Sequence, residues 1–350
     1  MIDFLTKEVF DSIMKIWRIL SIWVCLSLVL GLCGGCSRAG NIESSGKIAI
    51  VATAFPQYDF ARRIAGDRAE ITLLLKPGME AHSYEPSPKD IIRIAKCDLF
   101  LNVGGESETW LDAVLETAAN PKRRIVAAMD CVEALEEETV EGMQSKEHHH
   151  HDHDDEDEEA EALSDSDHDH EDEEEEYDEH VWTSPMNAIK IVNAINAALC
   201  DIDPDNAGYY CENTDTYVAQ LLDLDIAFRE AVTGVKRNVL IFGDRFPLLY
   251  FVREYGLDYY AAFPGCAAET EPSAATVAFL IDTVKREKVP VVFYIELSNH
   301  KVADAIAECT GTKTAQFNTC HNISYDDFQA GETYLSLMRA NVGVLKEALR

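Results

Sequence analysis

The stretch "DPDNAGYYCENTDTYVAQLLDLDIAFREAV", residues 203–232, determines the architecture because it predicts one long helix in the middle of the chain. Asp203 is the expected N-cap, and Pro204 stands at the first helical position. At 1.5 Å per residue such a helix is about 40 Å long, enough to connect two parts of a protein as a stiff rod. We therefore expect a linking helix over 203–234 with a separate folded lobe on each side.

Strands and helices alternate on both sides of this helix, which predicts an α/β fold with two parallel-sheet lobes. The expected lobes span 47–202 and 235–350. Ser87 and Pro88 begin one helix of the first lobe as N-cap and first residue. Helices are also expected over 246–255 and 326–349. The predicted strands are "KIAIVAT" (47–53), "EITLLL" (70–75), "DLFLNVG" (98–104), "RIVAAM" (124–129), "NVLIFG" (238–243), "DYYAAF" (258–263), "PVVFYIE" (290–296) and "KTAQFN" (313–318).

An acidic, histidine-rich segment interrupts the first lobe. The formal net charge is −33, and residues 147–180 alone contain twenty Asp or Glu and no Lys or Arg. Such a composition predicts disorder, here over 136–179, and excludes nucleic-acid binding through a basic face. Histidine-rich tracts bind metal by composition alone. The expected accessory metal-collecting residues are His148, His149, His150, His151, His153, His168 and His170.

The N-terminus has the features of a secretory signal peptide over residues 1–36, with Met14 the better start. Basic residues precede an apolar run, which ends in "LCGGC". This ending predicts a lipobox that makes Cys36 the lipid anchor, although Cys33 is atypical at its position. Residues 37–46 then form a flexible tether. The alternative is a retained membrane helix. The folded part is expected outside the cytoplasmic membrane, attached to its outer face.

Few histidines lie outside the acidic segment, and they fall near predicted strand ends. They are His82, His300 and His321. Because ligands sit beyond the carboxyl ends of parallel strands, His82, Asp244, Glu296 and His321 are candidate site residues. Imidazole and carboxylate together suit Zn²⁺ and related ions. His300 is expected to be a capping or surface residue.

The first lobe carries motifs of a known family. "AFPQYDFARRIAGDRAEITLLLKPGMEAHSYEPSPKDIIRIAKCDLFLNVGGESETWLD" and "DEHVWTSPMNA" resemble the metal-binding lipoproteins, solute-binding proteins of cluster A-I, that supply zinc and manganese ABC transporters. "REYGLDYY" is similar to the corresponding passage of the second lobe. The resemblance covers about residues 47–350 and implies one buried metal between two rigid lobes. It implies His82 as the first ligand and His180 as the second.

The second lobe departs from the family pattern, so its ligands stay open. In "GDRFPLLYF", Asp244 is the nearest candidate ligand, although Arg245 beside it could hold it in an ion pair. The family usually has an Asp near the position of Asn318, and His321 is the expected replacement. Glu296 is either a ligand or a support for one through a hydrogen bond. Cys320 is an alternative ligand, or half of a disulfide with Cys266.

The resemblance implies a metal-capture protein that works with an ABC transporter permease and its ATPase. We expect it to be a monomer that captures Zn²⁺. Three imidazoles and one carboxylate favour Zn²⁺ over Mn²⁺, whose sites contain more oxygen. Alternatives are a manganese or other divalent-metal receptor, a metal-buffering surface protein and an exported metallohydrolase. The sequence lacks H-E-x-x-H, G-x-S-x-G and a Gly-rich phosphate loop, so we expect no enzyme. The seven cysteines after Cys36 leave an odd one, and their spacing does not give their pairing.

Overall fold

The computed structural model describes residues 46–81, 84–143, 176–267 and 271–350 of the chain. Several predicted features lie outside these ranges: the signal peptide, Cys36 and most of the tether, His82, and the accessory histidines from His148 to His170. Residues 47–350 belong to one compact unit. None of the helices in the described ranges is both long enough and apolar enough to cross a membrane.

The elements follow the alternation that the sequence predicts. The strands are β1 (Ile48–Ala52), β2 (Ala69–Leu73), β3 (Leu99–Asn102), β4 (Arg124–Ala127), β5 (Val239–Phe246), β6 (Asp258–Pro264), β7 (Val291–Ile295) and β8 (Lys313–Phe317). The helices are α1 (Phe55–Ala65), α2 (Pro88–Lys96), α3 (Trp110–Thr117), α4 (Pro185–Ile202), α5 (Ala207–Val232), α6 (Leu249–Tyr255), α7 (Ala274–Glu287), α8 (Lys301–Thr310), α9 (Tyr325–Ala330) and α10 (Tyr334–Leu349).

Each lobe contains a four-stranded parallel sheet, as predicted, and the two strand orders are β2-β1-β3-β4 and β6-β5-β7-β8. Both faces of each sheet are covered, because parallel strands are connected by crossover helices. In β5, Leu240 and Phe242 pack into the large core that the lobes share, whereas Val239 and Ile241 face α7 and α8. Burial on both faces explains why these strands are continuous apolar runs.

The linking helix begins later than the sequence predicts. Residues Pro204–Asn206 form a separate 3-10 turn, and the α-helix α5 runs over 26 residues from Ala207. Asp203 does not cap the helix. Its carboxylate instead accepts hydrogen bonds from Asn206 Nδ2 and Tyr210 Oη, both at 2.7 Å. The C-terminal helix α10 returns across the molecule to pack against α5 and α1, so the end of the chain joins the first lobe to the second.

Three further boundaries test the sequence reasoning. Ser87 caps α2 as predicted, since its hydroxyl accepts from Asp90 N and Asp90 reciprocates. The strand predicted to end at 243 continues to Phe246, because a register irregularity between Phe242 and Arg245 lets pairing with β6 resume. The helix expected over 326–349 is broken at Gly331, which adopts a positive φ of 81° and ends α9.

The prediction of disorder over 136–179 extends too far at both ends, because residues there form backbone hydrogen bonds. Glu136 and Tyr177 form an antiparallel bridge. Glu137 N donates to Glu176 O at 2.8 Å, and Asp178 N donates to Leu135 O at 2.9 Å. We call these paired segments, 135–137 and 176–178, the root of the acidic segment. The prediction of disorder for residues 144–175 concerns residues outside the described ranges.

Candidate metal centre

His180 lies at the start of a 3-10 turn, Val181–Thr183, between the acidic segment and α4. Its side chain is only 1% exposed. The carbonyl of His180 accepts from Thr183 N at 3.1 Å and from Thr183 Oγ1 at 2.8 Å, which fixes the turn. The structure therefore places His180 within the folded first lobe.

Asp178 holds the His180 imidazole in a defined orientation. One carboxylate oxygen, Oδ1, lies 2.7 Å from the His180 backbone N and 3.0 Å from its Nδ1. A proton on Nδ1 would then be donated to the carboxylate, and Nε2 would be the ring nitrogen that carries the lone pair a metal ion needs. Burial lowers the pKa of His180, but the nearby carboxylates of Asp178, Glu179 and Glu137 outweigh it and raise the pKa above its ordinary value.

His321 reaches the same place from the second lobe, in the loop after β8. The two imidazole rings are 4.9 Å apart between centroids and nearly perpendicular, at 82°. Trp182 contacts both rings, at 5.7 Å from His180 and 5.1 Å from His321. Its indole Nε1 donates to Thr319 O at 2.9 Å, which ties the turn of the first lobe to the loop of the second.

Glu296 directly follows β7, and Thr319 holds its carboxylate. Thr319 N donates to Oε2 at 2.7 Å, and Thr319 Oγ1 donates to Oε1 at 2.6 Å. Burial raises the pKa of Glu296, although these two hydrogen bonds and one from the His321 backbone favour the charged form. Thr319 Oγ1 also accepts from His321 N at 3.3 Å, so one threonine positions the carboxylate and the histidine.

The loop that leads to His82 packs on this part of the second lobe. Asn322 Nδ2 donates to the carbonyls of Lys76 and Met79, both at 2.8 Å. Gly78 N donates to Ile323 O at the same distance. The described part of this loop ends at Ala81, and His82 itself lies outside the described residues.

A small cavity of about 30 Å³ lies where these segments meet. That volume is enough for about one or two water molecules, or for a single ion. Within the described ranges, no set of three or more His, Cys, Asp or Glu side chains is close enough to hold a metal ion. The lining includes Met79, Ala81, His180, Glu296, His321 and Asn322.

Asp244 lies apart from this cavity. It is inside β5, where its carboxylate accepts from Arg245 N at 2.8 Å and from Ile295 N at 3.3 Å. It lines a neighbouring cavity that contains neither histidine. Arg245 does not pair with Asp244 through its guanidinium. That group instead binds both carboxylate oxygens of Glu80, at 3.2 and 3.1 Å.

The remaining candidates have other contacts. Asn318 is hydrogen-bonded to Gln316 and to Asn341 of α10, so its amide contributes to the packing of that helix.

Cys320 is buried, and burial raises its pKa well above the ordinary thiol value. All seven cysteines of the described ranges are free thiols, so the Cys266–Cys320 disulfide is not present. His300 is half exposed beside Asp304 at the start of α8.

Sequence reasoning missed the residues that position the histidines: Asp178, Trp182, Thr319 and Asn322. A signal for Asp178 was present, because a carboxylate two residues before a buried histidine can reach both its backbone N and its Nδ1. Thr319 and Asn322 flank His321 in "NTCHN", but their partners are distant in the chain. Only the fold brings those partners together.

The protein is therefore an α/β protein of two parallel-sheet lobes joined by a long helix. Imidazoles from both lobes meet at one cavity, which is its candidate binding site. The chain belongs to the family described as zinc-uptake complex component A, periplasmic, whose model matches residues 50–348. Members of this family are extracytoplasmic, metal-binding components of an uptake system and not enzymes.

Named relatives agree with this membership. The chain is 33% identical over 341 residues to the high-affinity zinc uptake system protein ZnuA of Bacillus subtilis, covering 96% of this chain and 98% of the relative. It is 31% identical to the zinc-binding lipoprotein AdcA of Streptococcus pneumoniae, covering 87% of this chain but 56% of AdcA. The Zn(II)-bound ZnuA-like domain of AdcA superimposes with a TM-score of 0.68 at 29% identity, covering 87% of this chain and 99% of that domain.

Proposed function

We propose that this protein captures Zn²⁺ outside the cytoplasmic membrane and delivers it to the permease of an ABC transporter. The observation that carries the proposal is the meeting of His180 and His321, from different lobes, with Glu296 at one cavity. Family membership and the names of the relatives support zinc as the cargo. A cargo ion held between two lobes can be released when the lobes separate, which suits a delivery protein.

The proposed ligands are His82, His180, His321 and one carboxylate. Glu296 is the better candidate for that carboxylate, because it lines the cavity with both described histidines. Asp244 is the weaker one, since it lines the neighbouring cavity and accepts two backbone N–H groups. A set of three imidazoles and one carboxylate favours Zn²⁺ over Mn²⁺, which prefers more oxygen ligands.

The acidic segment is proposed to collect Zn²⁺ weakly and to keep it near the tight site. Its carboxylates attract divalent cations, and its histidines offer exchangeable ligands. The root of the acidic segment supports this role, because it ends two residues before His180. A segment attached there holds its ions at a high effective concentration beside the cavity.

The attachment and partners are also proposed. Lipidation of Cys36 would fix the protein to the outer face of the membrane, close to the permease and its cytoplasmic ATPase. A single copy of the chain carries all the proposed ligands, which supports a monomer.

The test is isothermal titration with Zn²⁺ and with Mn²⁺, on the full chain and on a variant that lacks residues 147–175. The deletion ends before Glu176 because Asp178 orients His180 and must be kept. We expect one tight zinc site in both proteins, weak additional sites only in the full chain, and weaker Mn²⁺ binding. In both proteins His82→Ala should remove the tight site.

Two results would count against the proposal. Loss of the tight site on deletion would place the tight ligands in the acidic segment and make the protein a metal buffer. Tighter binding of Mn²⁺ than of Zn²⁺ would make it a manganese receptor.

A further inference from the structure

Two cysteine sulfur atoms meet where α4 turns into the linking helix. Cys200 is in the last turn of α4, Cys211 is in the second turn of α5, and their Sγ atoms are 4.0 Å apart. Asn196 contacts both: its Oδ1 accepts from Cys200 Sγ and its Nδ2 donates to Cys211 Sγ, each at 3.7 Å. The two thiols therefore face each other on adjacent, well-packed helices.

We propose that Cys200 and Cys211 are a redox-active pair that closes to a disulfide outside the cytoplasm. A disulfide needs a sulfur–sulfur distance of about 2.05 Å, so the atoms must approach by about 2 Å. Rotation about the two Cα–Cβ bonds is the motion that would bring the sulfur atoms together. Disulfides form and persist in extracytoplasmic compartments, which is where this family works.

The oxidant is a low-molecular-weight disulfide. Cys211, the exposed thiol of the pair, loses its proton and attacks one sulfur of that disulfide, which releases one small thiolate and leaves a mixed disulfide. Cys200 then loses its proton and attacks Cys211 Sγ, releasing the second small thiolate. The protein loses two electrons and two protons, and the oxidant becomes two molecules of thiol.

Other cysteines differ from this pair in ways that supply controls. Cys97 is buried, and burial raises its pKa to about 12, so it is a poor nucleophile at neutral pH. Cys309, on α8, is exposed, as Cys211 is. It therefore reports what an exposed thiol does without a partner 4.0 Å away.

The closed pair would tie the end of the first lobe to the linking helix. The turn between them is already held by Asp203, whose carboxylate bonds Asn206 and Tyr210. A disulfide here closes a short loop and stabilises chiefly by restricting the unfolded chain. For a chain of this size we expect the melting temperature to rise by about 5 °C on oxidation.

The test uses the purified protein incubated with oxidised glutathione, blocked with iodoacetamide and mapped by peptide mass spectrometry. We expect a peptide pair linked through Cys200 and Cys211, while Cys309 is alkylated or carries glutathione. The melting temperature should rise and should return to its starting value with dithiothreitol. Cys200→Ser and Cys211→Ser should each abolish this rise, and Cys309→Ser should leave it intact.

The serine variants must melt like the parent under reducing conditions, which separates loss of the bond from damage to the fold. The proposal is overturned if Cys200 and Cys211 are recovered as iodoacetamide-alkylated thiols after oxidation. It is also overturned if they carry separate glutathione adducts, or if either is linked to another cysteine.

Discussion

The two sheets have the same strand order, but they contribute to the site in different ways. In the second lobe, Glu296 directly follows β7, and His321 lies four residues after β8. In the first lobe, the loop after the corresponding strand β3 offers backbone N–H groups instead. Val103 N and Gly104 N donate to Glu108, and Ser107 N donates to Glu179.

The two lobes therefore position their site residues by different means: the second lobe by the ends of strands, the first lobe by hydrogen bonds. The second lobe places its candidate ligands on the ends of a rigid sheet. The first lobe uses its strand ends to hold carboxylates, and one of them, Glu179, is next to His180 in the chain. His180 follows no strand, so its position depends on Asp178, on Thr183 and on the root of the acidic segment.

The largest effect should come from removing a histidine of either lobe. His180→Ala and His321→Ala should each weaken Zn²⁺ binding by more than about 100-fold. Removing a ligand should lower the metal affinity more than removing a residue that only supports a ligand. Competition with a chromophoric chelator measures the affinity. His300→Ala is the matched control, since His300 is half exposed and should leave the affinity unchanged. If only one lobe's histidine matters, the site does not lie between the lobes.

The next effect concerns the residue that orients His180. Asp178→Asn should weaken Zn²⁺ binding by about 10-fold to 100-fold, because it removes the carboxylate that fixes the ring and increases its basicity. Asp304→Asn is the control, because Asp304 makes the same kind of contact, at 2.7 Å, to the exposed His300. Equal affinities of the two variants would show that Asp178 has no positioning role.

The fold was predictable because it depends on local patterns. Ser87 followed by Pro88 predicts the start of α2, and continuous apolar runs predict strands that are buried on both faces. The predicted ends of helices and strands were wrong where tertiary contacts determine them. Gly243 and Asp244 look like the end of a strand, but pairing with β6 continues through Arg245 to Phe246.

The candidate site was predictable only in part, for the same reason. Glu296 and His321 follow from the rule that ligands sit beyond parallel strand ends. The prediction of His180 as a ligand rested on the family resemblance, because composition alone makes His180 look like part of the acidic segment. The contacts of Asn322 with Lys76 and Met79 span more than 240 residues, and no local pattern encodes them.

A substitution at Gly105 tests how rigidly the first lobe holds the Glu179 side chain. A Cβ added at Gly105 would overlap the Glu179 carboxyl group, which cannot move freely because it is buried and bonded to Ser107. Gly105→Ala should therefore cost about 1–3 kcal/mol of unfolding free energy. Gly343→Ala in α10, with nothing within 4 Å of the new Cβ, should instead gain up to about 1 kcal/mol. Urea unfolding compares them, and equal stabilities would mean that Glu179 adapts.

The smallest effect should come from the ion pair that joins the lobes beside the site. Glu80, two residues before His82, binds the guanidinium of Arg245 in β5. Glu80 is half exposed, so the pair is worth at most about 1 kcal/mol. Glu80→Gln keeps the size of the side chain, removes the charge and should speed Zn²⁺ release by at most about fivefold.

Stopped-flow chelation measures that release rate. Glu287→Gln breaks an ion pair with Arg286 that lies within the second lobe only, and it should leave the rate unchanged. Because salt screens exposed charges, the difference between Glu80→Gln and the parent should shrink at high ionic strength. A difference that is independent of salt, or an equal effect of Glu287→Gln, would mean that the Glu80–Arg245 pair does not hold the lobes together around the ion.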